Sequence, residues 1–315
     1  MNVFIAGGSG VIGRAAARAL VEGGHRVRAT ARGEEKARVV RGLDAEPVEV
    51  DLNDPAAVRR AIAGADAVLR LTTKISSLMK MGKRGAWDET ARLRTVGARI
   101  LVDAAIAERV QIYVHESVAY VYADGGSQWL DETARTDDGG TTIMRATLEG
   151  EQEAVRFTQA GGRGIVLRFG GFYGPDAPST LETAQLARRR MLPQVGAGTN
   201  YMSSIYLPDA GRAVAAALGV PGGTYNVCDD APVPFAEYLR AVVESVGAPR
   251  PRRLPALLGP LLFGETGKYF FRSLRVSNRR FREAAGWGPE VKSVADGWPR
   301  IAAAWRAPEP VGAGR

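Results

Sequence analysis

Apolar residues in this chain recur in short runs of strand length, separated by segments with apolar residues at helical spacing. The strand-length runs span residues 2–6, 26–30, 47–51, 67–71, 110–118 and 164–169. The helical segments span residues 14–23, 55–63, 87–108 and 142–160, and the longest carries Leu93, Val96, Ile100, Leu101 and Ala104 on one face. This alternation predicts an α/β fold, a Rossmann-like doubly wound parallel sheet.

The pattern loosens after Gly174 and Pro175. Helices are predicted at residues 180–190, 208–218, 235–246, 278–285 and 294–305, with short strands at 203–207 and 223–227 and a Pro/Arg-rich linker at 248–255. We therefore predict a dinucleotide-binding Rossmann domain at residues 1–170 and a smaller, interleaved, mainly substrate-binding region at 171–307. Residues 308–315 are predicted to form a flexible tail.

Composition and charge exclude several classes of function. Of the 315 residues, 45% are hydrophobic and 24% charged, which is typical of a soluble globular protein. The net charge of +8 is spread along the chain, so we expect no nucleic-acid partner. One cysteine excludes an intrachain disulfide, and two separated histidines predict no metal site. The longest apolar stretch, 254–263, is too short to span a bilayer, so we expect no membrane contact and a cytoplasmic protein.

A glycine-rich turn follows the first strand and opens the first helix. Gly7 permits the tight turn, Gly10 lets the backbone approach a pyrophosphate, and Gly13 allows close helix–strand packing. Phosphates would lie at the helix N-terminus. The motif predicts a dinucleotide site that also includes Ser9, Val11, Ile12 and Arg14; the alternative is a tight turn without a ligand.

Several further motifs resemble the extended short-chain dehydrogenase/reductase family, which contains sugar-nucleotide epimerases and dehydratases. They are the glycine turn, Asp51-Leu52, Leu71-Thr72-Thr73, Val121-Tyr122, residues 168–175, residues 205–209, residues 225–227 and Gly286-Trp287. The resemblance covers nearly the whole chain. It implies that Asp51 and Leu52 hold the adenine, that residues 71–73 lie along the cofactor, and that Phe169, Gly170 and Phe172 line the nicotinamide.

The end of the second strand indicates which nicotinamide cofactor is bound. An NAD site offers a carboxylate there for the ribose hydroxyl, whereas this strand ends Thr30-Ala31-Arg32. Arg32 could pair with the 2′-phosphate of NADP, with help from Arg14. We therefore predict NADP(H), with NAD(H) as the alternative; Arg32 could instead be a solvated loop residue.

The catalytic residues that the resemblance implies are missing. The family uses a Ser or Thr, a Tyr, and a Lys four residues after the Tyr. Alignment on the segment 147–151 and on Val121-Tyr122 places Thr147 in the lysine position, Ile143 in the tyrosine position and Val118 in the serine position. Ser117 lies one residue too early and Thr147 keeps only a hydroxyl, so both are predicted at most to orient a water or the ribose.

Two hypotheses follow from the missing triad, as in a small set of atypical family members. One is a reductase without a protein proton donor, acting on an aromatic polyketide ketone, such as an angucyclinone, in antibiotic biosynthesis; a phenol hydrogen-bonded to the substrate's own carbonyl would assist. The other is an NADP-binding sensor without catalysis. Two alternatives remain open: a sugar-nucleotide epimerase or dehydratase, and a reductase in which Tyr120 or Tyr122 acts as a displaced catalytic tyrosine.

The protein is expected to be a monomer or a homodimer. The predicted substrate pocket comprises Met79, Met81, Tyr120, Ile143, Met144, Phe172, Tyr173 and Tyr206.

Overall fold

The computed structural model describes residues 1–73 and 85–306, with the side chains of 260–262 excepted. The predicted pocket residues Met79 and Met81, and the predicted tail at 308–315, lie outside the described residues. No helix among the described residues is long and apolar enough to cross a bilayer.

A seven-stranded parallel sheet forms the centre of the fold. Its strands are β1 (Asn2–Ala6), β2 (Arg26–Thr30), β3 (Glu46–Val48), β4 (Ala67–Arg70), β5 (Ile112–Val118), β6 (Arg163–Phe169) and β7 (Gly223–Val227). They are ordered β7-β6-β5-β4-β1-β2-β3, and every pairing is parallel. The chain order reverses between β1 and β4, which is where doubly wound sheets bind ligands. The predicted fold class is confirmed.

Helices cover both faces of this sheet and build the region beyond it. They are α1 (Val11–Glu22), α2 (Glu34–Arg41), α3 (Pro55–Ile62), α4 (Asp88–Arg92), α5 (Ala98–Ala107), α6 (Thr142–Gln159), α7 (Pro178–Arg188), α8 (Leu207–Ala217), α9 (Phe235–Ser245), α10 (Gly259–Phe270), α11 (Arg279–Ala285) and α12 (Val294–Arg306). One core cluster packs the sheet against α1 and α8, and a second packs it against α3, α5 and α6. A third, around Tyr173 and Trp298, joins α7, α9 and α12.

The C-terminal half of the chain contributes a strand to the main sheet and packs against the first half. β7 pairs with β6 in the main sheet. Four two-stranded pairs hold the rest together: Gly171–Tyr173 with Ser204–Tyr206, Tyr201–Met202 with Val233–Pro234, Gln194–Val195 with Arg253–Leu254, and Trp129–Leu130 with Arg275–Val276.

Three helical features differ from the predictions. Helices α2 and α10 were not predicted, and the short strand Arg253–Leu254 occupies part of the predicted linker. The predicted helix at 87–108 is interrupted by a π-helical turn, Leu93–Gly97, between α4 and α5. A π turn holds an extra residue and rotates the faces on either side of it. Val96, predicted on the apolar face, is therefore 45% exposed, whereas Arg94 is 3% exposed.

Candidate functional site

The glycine turn between β1 and α1 has no room for side chains at Gly7, Gly8 and Gly13. A Cβ on Gly13 would lie 2.0 Å from the carbonyl oxygen of Gly7, and a Cβ on Gly7 would lie 2.5 Å from the carbonyl oxygen of Leu71. Gly7 also has a φ of 97°, which favours glycine. At Gly10 the corresponding distance to the Gly7 oxygen is 3.1 Å. The backbone is therefore closely packed around the start of α1.

The N-terminus of α1 is open to an anion. Gly10 is its N-cap, no side chain caps the helix, and its first turn, which includes Val11 and Ile12, contains no acidic residue. Its first N–H groups and the helix dipole therefore favour a phosphate there. Arg14 stands beside the turn and donates to the carbonyl oxygens of Ser9 and Asp176, at 3.2 and 3.1 Å. The chain thus fits the pyrophosphate of a dinucleotide.

The next predicted cofactor residues lie at the same carboxyl edge of the sheet. Arg32 follows β2 and is exposed. Asp51 follows β3, and its carboxylate accepts from the backbone and side-chain nitrogens of Asn53 at 3.0 and 2.8 Å. These hydrogen bonds, and more weakly the charges of Arg32 and Arg92, lower the pKa of Asp51. Asp51 therefore stays ionised beside exposed arginines.

The segment after β4 is anchored to buried charged groups. Leu71 donates its N–H to Ala6 in β1, and the carbonyl of Thr72 accepts from Arg70 at 2.6 Å. Thr73 donates its hydroxyl to the carboxylate of Glu116 at 2.9 Å. This segment crosses the point where the chain order of the sheet reverses.

At the opposite side of this edge, Phe169 ends β6 and Gly170 follows it. Phe169 is fully buried and lies 5.1 Å, between ring centroids, from the half-buried Phe172. A Cβ on Gly170 would lie 2.8 Å from the carbonyl oxygen of Ser203. The predicted nicotinamide-lining residues therefore lie together, and Phe169 has little surface left for a ligand.

The three predicted triad positions meet in space. Val118 packs with Ile143 in one apolar cluster, and Thr147 lies one turn farther along α6. Thr147 is fully buried, and its hydroxyl donates to the carbonyl of Ile143 at 2.7 Å and accepts from Arg94. Its only proton is therefore used inside the helix and is not available to a water or the ribose. None of the three side chains can transfer a proton.

Ser117 belongs to a buried polar network that packs α6 onto the sheet. Its hydroxyl donates to Glu151 at 2.5 Å, and Arg168 binds the same carboxylate at 2.9 and 2.6 Å. Arg168 also lies over the ring of Tyr122, whose hydroxyl donates to Asn226 at 2.7 Å. Burial raises the pKa of Tyr122 to about 12. Ser117 and Tyr122 therefore hold the fold together through hydrogen bonds within the protein.

The predicted substrate residues separate into two groups. Tyr120, Ile143 and Met144 lie together with Tyr269 and Phe270 of α10. The rings of Tyr173 and Tyr206 meet at an angle of 59° in the core around Trp298, and Tyr173 is 1% exposed with its hydroxyl donating to the carbonyl of Ser293. The prediction of Tyr173 as a pocket residue is therefore wrong, because its side chain is enclosed by α7, α9 and α12.

Aromatic rings surround the first group. Phe270 stacks on Tyr120 at 6.1 Å and meets Phe235 edge-on at 6.2 Å. The cavity beside Tyr120, Gly170 and Phe270 has a volume of only about 10 Å³. A planar ligand here would take the place of ring contacts. Local sequence gave no signal for the rings of α10, since that helix was not predicted.

A buried cationic group beside the triad positions was also missed. Arg94 of the π turn contacts Thr147 and carries a buried Nε without a partner among the described residues. The neighbouring His115 is fully buried, its Nε2 is also unpartnered within the described chain, and burial lowers its pKa well below 6.5. Regular helical periodicity would place Arg94 at the edge of the apolar face, close to Leu101, so only the tertiary structure shows that its charge is buried beside Thr147.

Comparison with known proteins agrees with this geometry. Residues 3–228 match the family model of the NAD dependent epimerase/dehydratase family. The chain is 36% identical to a 3-diazoavenalumate denitrifying reductase of a Streptomyces species, over 94% of this chain and 99% of the relative. It is 29% identical to a 4-hydroxy-2-methyl-3-oxo-4-farnesyl-3,4-dihydroquinoline-1-oxide ketoreductase of Stigmatella aurantiaca, over 78% of this chain and 74% of the relative.

Solved structures share the fold. A dTDP-glucose 4,6-dehydratase of Streptomyces venezuelae with NAD bound has a TM-score of 0.79 and 20% identity, covering 97% of both chains. A human epimerase family protein with NADPH has a TM-score of 0.78 and 18% identity, covering 96% of this chain and 99% of that one. Together with the glycine turn, the match to the family model supports a nicotinamide cofactor. The chain belongs to the NAD dependent epimerase/dehydratase family, in the extended short-chain dehydrogenase/reductase group, and is an NAD(P)-dependent oxidoreductase.

Proposed function

We propose that this protein uses NADPH to reduce a ketone of an aromatic polyketide, of angucyclinone type, in the cytoplasm during antibiotic biosynthesis. The observation that carries the proposal is the meeting of Val118, Ile143 and Thr147 without a group that can transfer a proton. A bound nicotinamide supplies the hydride. The protein's own contribution is to position two flat molecules and to exclude water.

Such a substrate can be reduced at a useful rate without an acidic side chain from the protein. General acid catalysis contributes about 10²–10⁴-fold, and positioning can contribute more. A phenol in the peri position already donates a hydrogen bond to the ketone that is reduced. As the carbon–hydrogen bond forms, the carbonyl π electrons move to oxygen, and the phenol or a water supplies the proton.

An aromatic substrate is supported by the rings around Tyr120 and Phe270. Stacked or edge-on rings contribute about 0.5–1.5 kcal/mol per pair, so an aromatic ligand that contacts Tyr120 or Phe270 would gain a stabilisation of this size. The ketoreductase of Stigmatella aurantiaca also acts on a fused-ring ketone by its name.

A second candidate is favoured by the relative that is 36% identical, whose name describes removal of nitrogen from a diazo compound. Replacement of dinitrogen by hydride at an aromatic carbon forms one carbon–hydrogen bond, breaks one carbon–nitrogen bond and releases N₂. This reaction requires no proton donor. It therefore also fits a site whose triad positions are Val118, Ile143 and Thr147.

The preference for NADPH rests on charge. β2 is followed by the exposed Arg32, with no carboxylate at its end, so a 2′-phosphate would find a positive partner there. A small-molecule substrate and a monomer or homodimer complete the proposal.

One panel of substrates tests these alternatives. Purified protein is mixed with NADPH and, separately, a peri-hydroxy quinone or angucyclinone, an aryl diazonium salt, and a sugar nucleotide, while absorbance at the NADPH band and product mass are recorded. Reduction of the carbonyl compound supports the main proposal, and N₂ release from the diazonium salt supports the second. Tight NADPH binding without any turnover contradicts both and indicates a sensor.

A further inference from the structure

Arg94 is a buried cation in an unusual place. It lies in the π turn Leu93–Gly97, is 3% exposed, and directs its Nη1 at the hydroxyl of Thr147, where the triad positions meet. Its Nε is buried without a hydrogen-bond partner among the described residues. An incompletely paired guanidinium is costly to bury, and such groups cluster where a protein uses their charge.

The π turn that carries Arg94 packs closely against α6. A Cβ on Gly150 of α6 would lie 2.5 Å from the carbonyl oxygen of Arg94 and 2.9 Å from Cε1 of His115. Glycine at position 150 therefore lets the π turn lie directly against α6. π turns are frequent at functional sites because the extra residue redirects a side chain.

The charges nearby leave a positive excess among the described residues. Glu116 is the carboxylate that acts most strongly on Arg94, and Arg70 is a second buried cation beside both. Glu151 is engaged by Arg168 at 2.6 Å. Burial lowers the pKa of Arg94 to about 10 and Glu116 opposes that change, so the guanidinium is charged at neutral pH. His115 is neutral and adds no charge. The two buried cations, Arg94 and Arg70, therefore share one carboxylate, that of Glu116.

We infer that Arg94 is a positioning residue whose buried positive charge stabilises the negative charge that develops on the substrate oxygen during hydride transfer. The inference deepens the proposed carbonyl reduction and rests on it. Arg94 acts through the low-dielectric interior, as a fixed positive charge, and not as an acid. As the carbon–hydrogen bond forms, the electron pair moves to the oxygen, the cation lowers the energy of that oxyanion, and the proton comes from the substrate phenol or a water.

Three variants separate this role from a structural one. Arg94→Met removes the charge but keeps an unbranched side chain, and Arg94→Lys restores a charge at the same place. Arg163→Met is the matched control, because Arg163 is half-buried at the start of β6, at the other end of the sheet, and donates to the carbonyls of Val220 and Leu218 at 3.1 and 2.8 Å.

Each variant is measured in three ways. Single-turnover NADPH oxidation with juglone, a peri-hydroxy quinone, gives the hydride-transfer rate. Fluorescence titration gives the Kd of NADPH, and urea unfolding gives stability. With NADP⁺ bound, the visible spectrum of bound juglone reports how readily its phenol ionises, which is an electrostatic readout independent of turnover.

For Arg94→Met we expect hydride transfer to fall about 10- to 100-fold, the NADPH Kd to change less than about 3-fold, and stability to be unchanged or higher. The bound phenol should ionise at higher pH, and Arg94→Lys should recover most of the rate and the spectrum. Arg163→Met should lower stability alone.

The inference is overturned if Arg94→Met transfers hydride and ionises the phenol as the wild type does, or if its loss of rate follows only its loss of folded protein. If the wild-type protein itself does not reduce peri-hydroxy carbonyl compounds, the proposed function has failed, and the inference falls with it. The two failures are thus distinguished by the wild-type measurement.

Discussion

The substitution Gly13→Ala tests the cofactor turn directly. The added Cβ would lie 2.0 Å from the Gly7 carbonyl oxygen and 2.9 Å from its carbonyl carbon, whereas ordinary contacts begin at 3.4 Å. Both neighbours are backbone, so α1 and the turn must separate by about 1 Å or more. Overpacking of this kind costs about 1–3 kcal/mol, part of which the better helix propensity of alanine offsets.

The larger effect should appear in cofactor binding. The turn and the start of α1 together would hold the pyrophosphate, so their separation spoils several backbone contacts at once. We expect the Kd of NADPH to rise at least about 10-fold, which corresponds to about 1.4 kcal/mol. Fluorescence titration measures the Kd, and urea unfolding confirms that the variant is folded.

Two further glycine variants calibrate this result. Gly42→Ala is the control, because Gly42 ends α2 with a φ of −66° and its nearest contacts for a Cβ are 3.5 and 3.6 Å away. It should bind NADPH as the wild type does. Gly10→Ala, with one contact at 3.1 Å, should show an intermediate loss. Wild-type affinity in a folded Gly13→Ala variant would refute the assignment of the turn.

Three other predictions concern charge and protons. Arg32→Ala should weaken NADPH binding about 10-fold and leave NADH binding unchanged, because only the 2′-phosphate needs the guanidinium; equal losses for both cofactors in titrations would contradict this. Tyr122→Phe should lower the free energy of unfolding by about 1 kcal/mol, because the buried side-chain oxygen of Asn226 loses its hydrogen-bond donor. Hydride transfer should not slow; a rate loss in stopped-flow measurements would identify Tyr122 as a displaced proton donor. Burial raises the pKa of Asp229, so the folded state holds its proton more tightly than the unfolded chain and loses stability as pH rises above about 4. In urea unfolding, Asp229→Asn should reduce this slope and be the more stable form at pH 8; an unchanged slope would show that Asp229 ionises freely.

Local pattern was sufficient for the central sheet. Each strand of the main sheet was recognised within a few residues of its bounds, since buried parallel strands are continuous apolar runs between polar turns. Periodicity failed where an element depends on distant contacts. The π turn Leu93–Gly97 packs closely against α6 at Gly150, where a side chain would not fit, and no repeat within residues 87–108 encodes that contact.

The candidate site shows the same division. The sequence placed Val118, Ile143 and Thr147 at the triad positions, and the structure brings them together. It also suggested that Thr147 could orient a water, which the hydrogen bond to the Ile143 carbonyl opposes. The pocket residue Tyr173 was chosen for being aromatic and near a motif, yet its neighbours are Gly297 and Ser293 of the C-terminal region.

By itself, the sequence determined the α/β class, the glycine turn at Gly7–Gly13 and the absence of a tyrosine and lysine at the family's catalytic spacing, because each depends on residues close together in the chain. Only the tertiary structure decided which charge stands beside those positions. Arg94 is buried through contacts with α6 and β5, and its electrostatic effect arises from desolvation and from Glu116 and Arg70. Desolvation is a property of the packed interior, so no local pattern in the sequence reveals it.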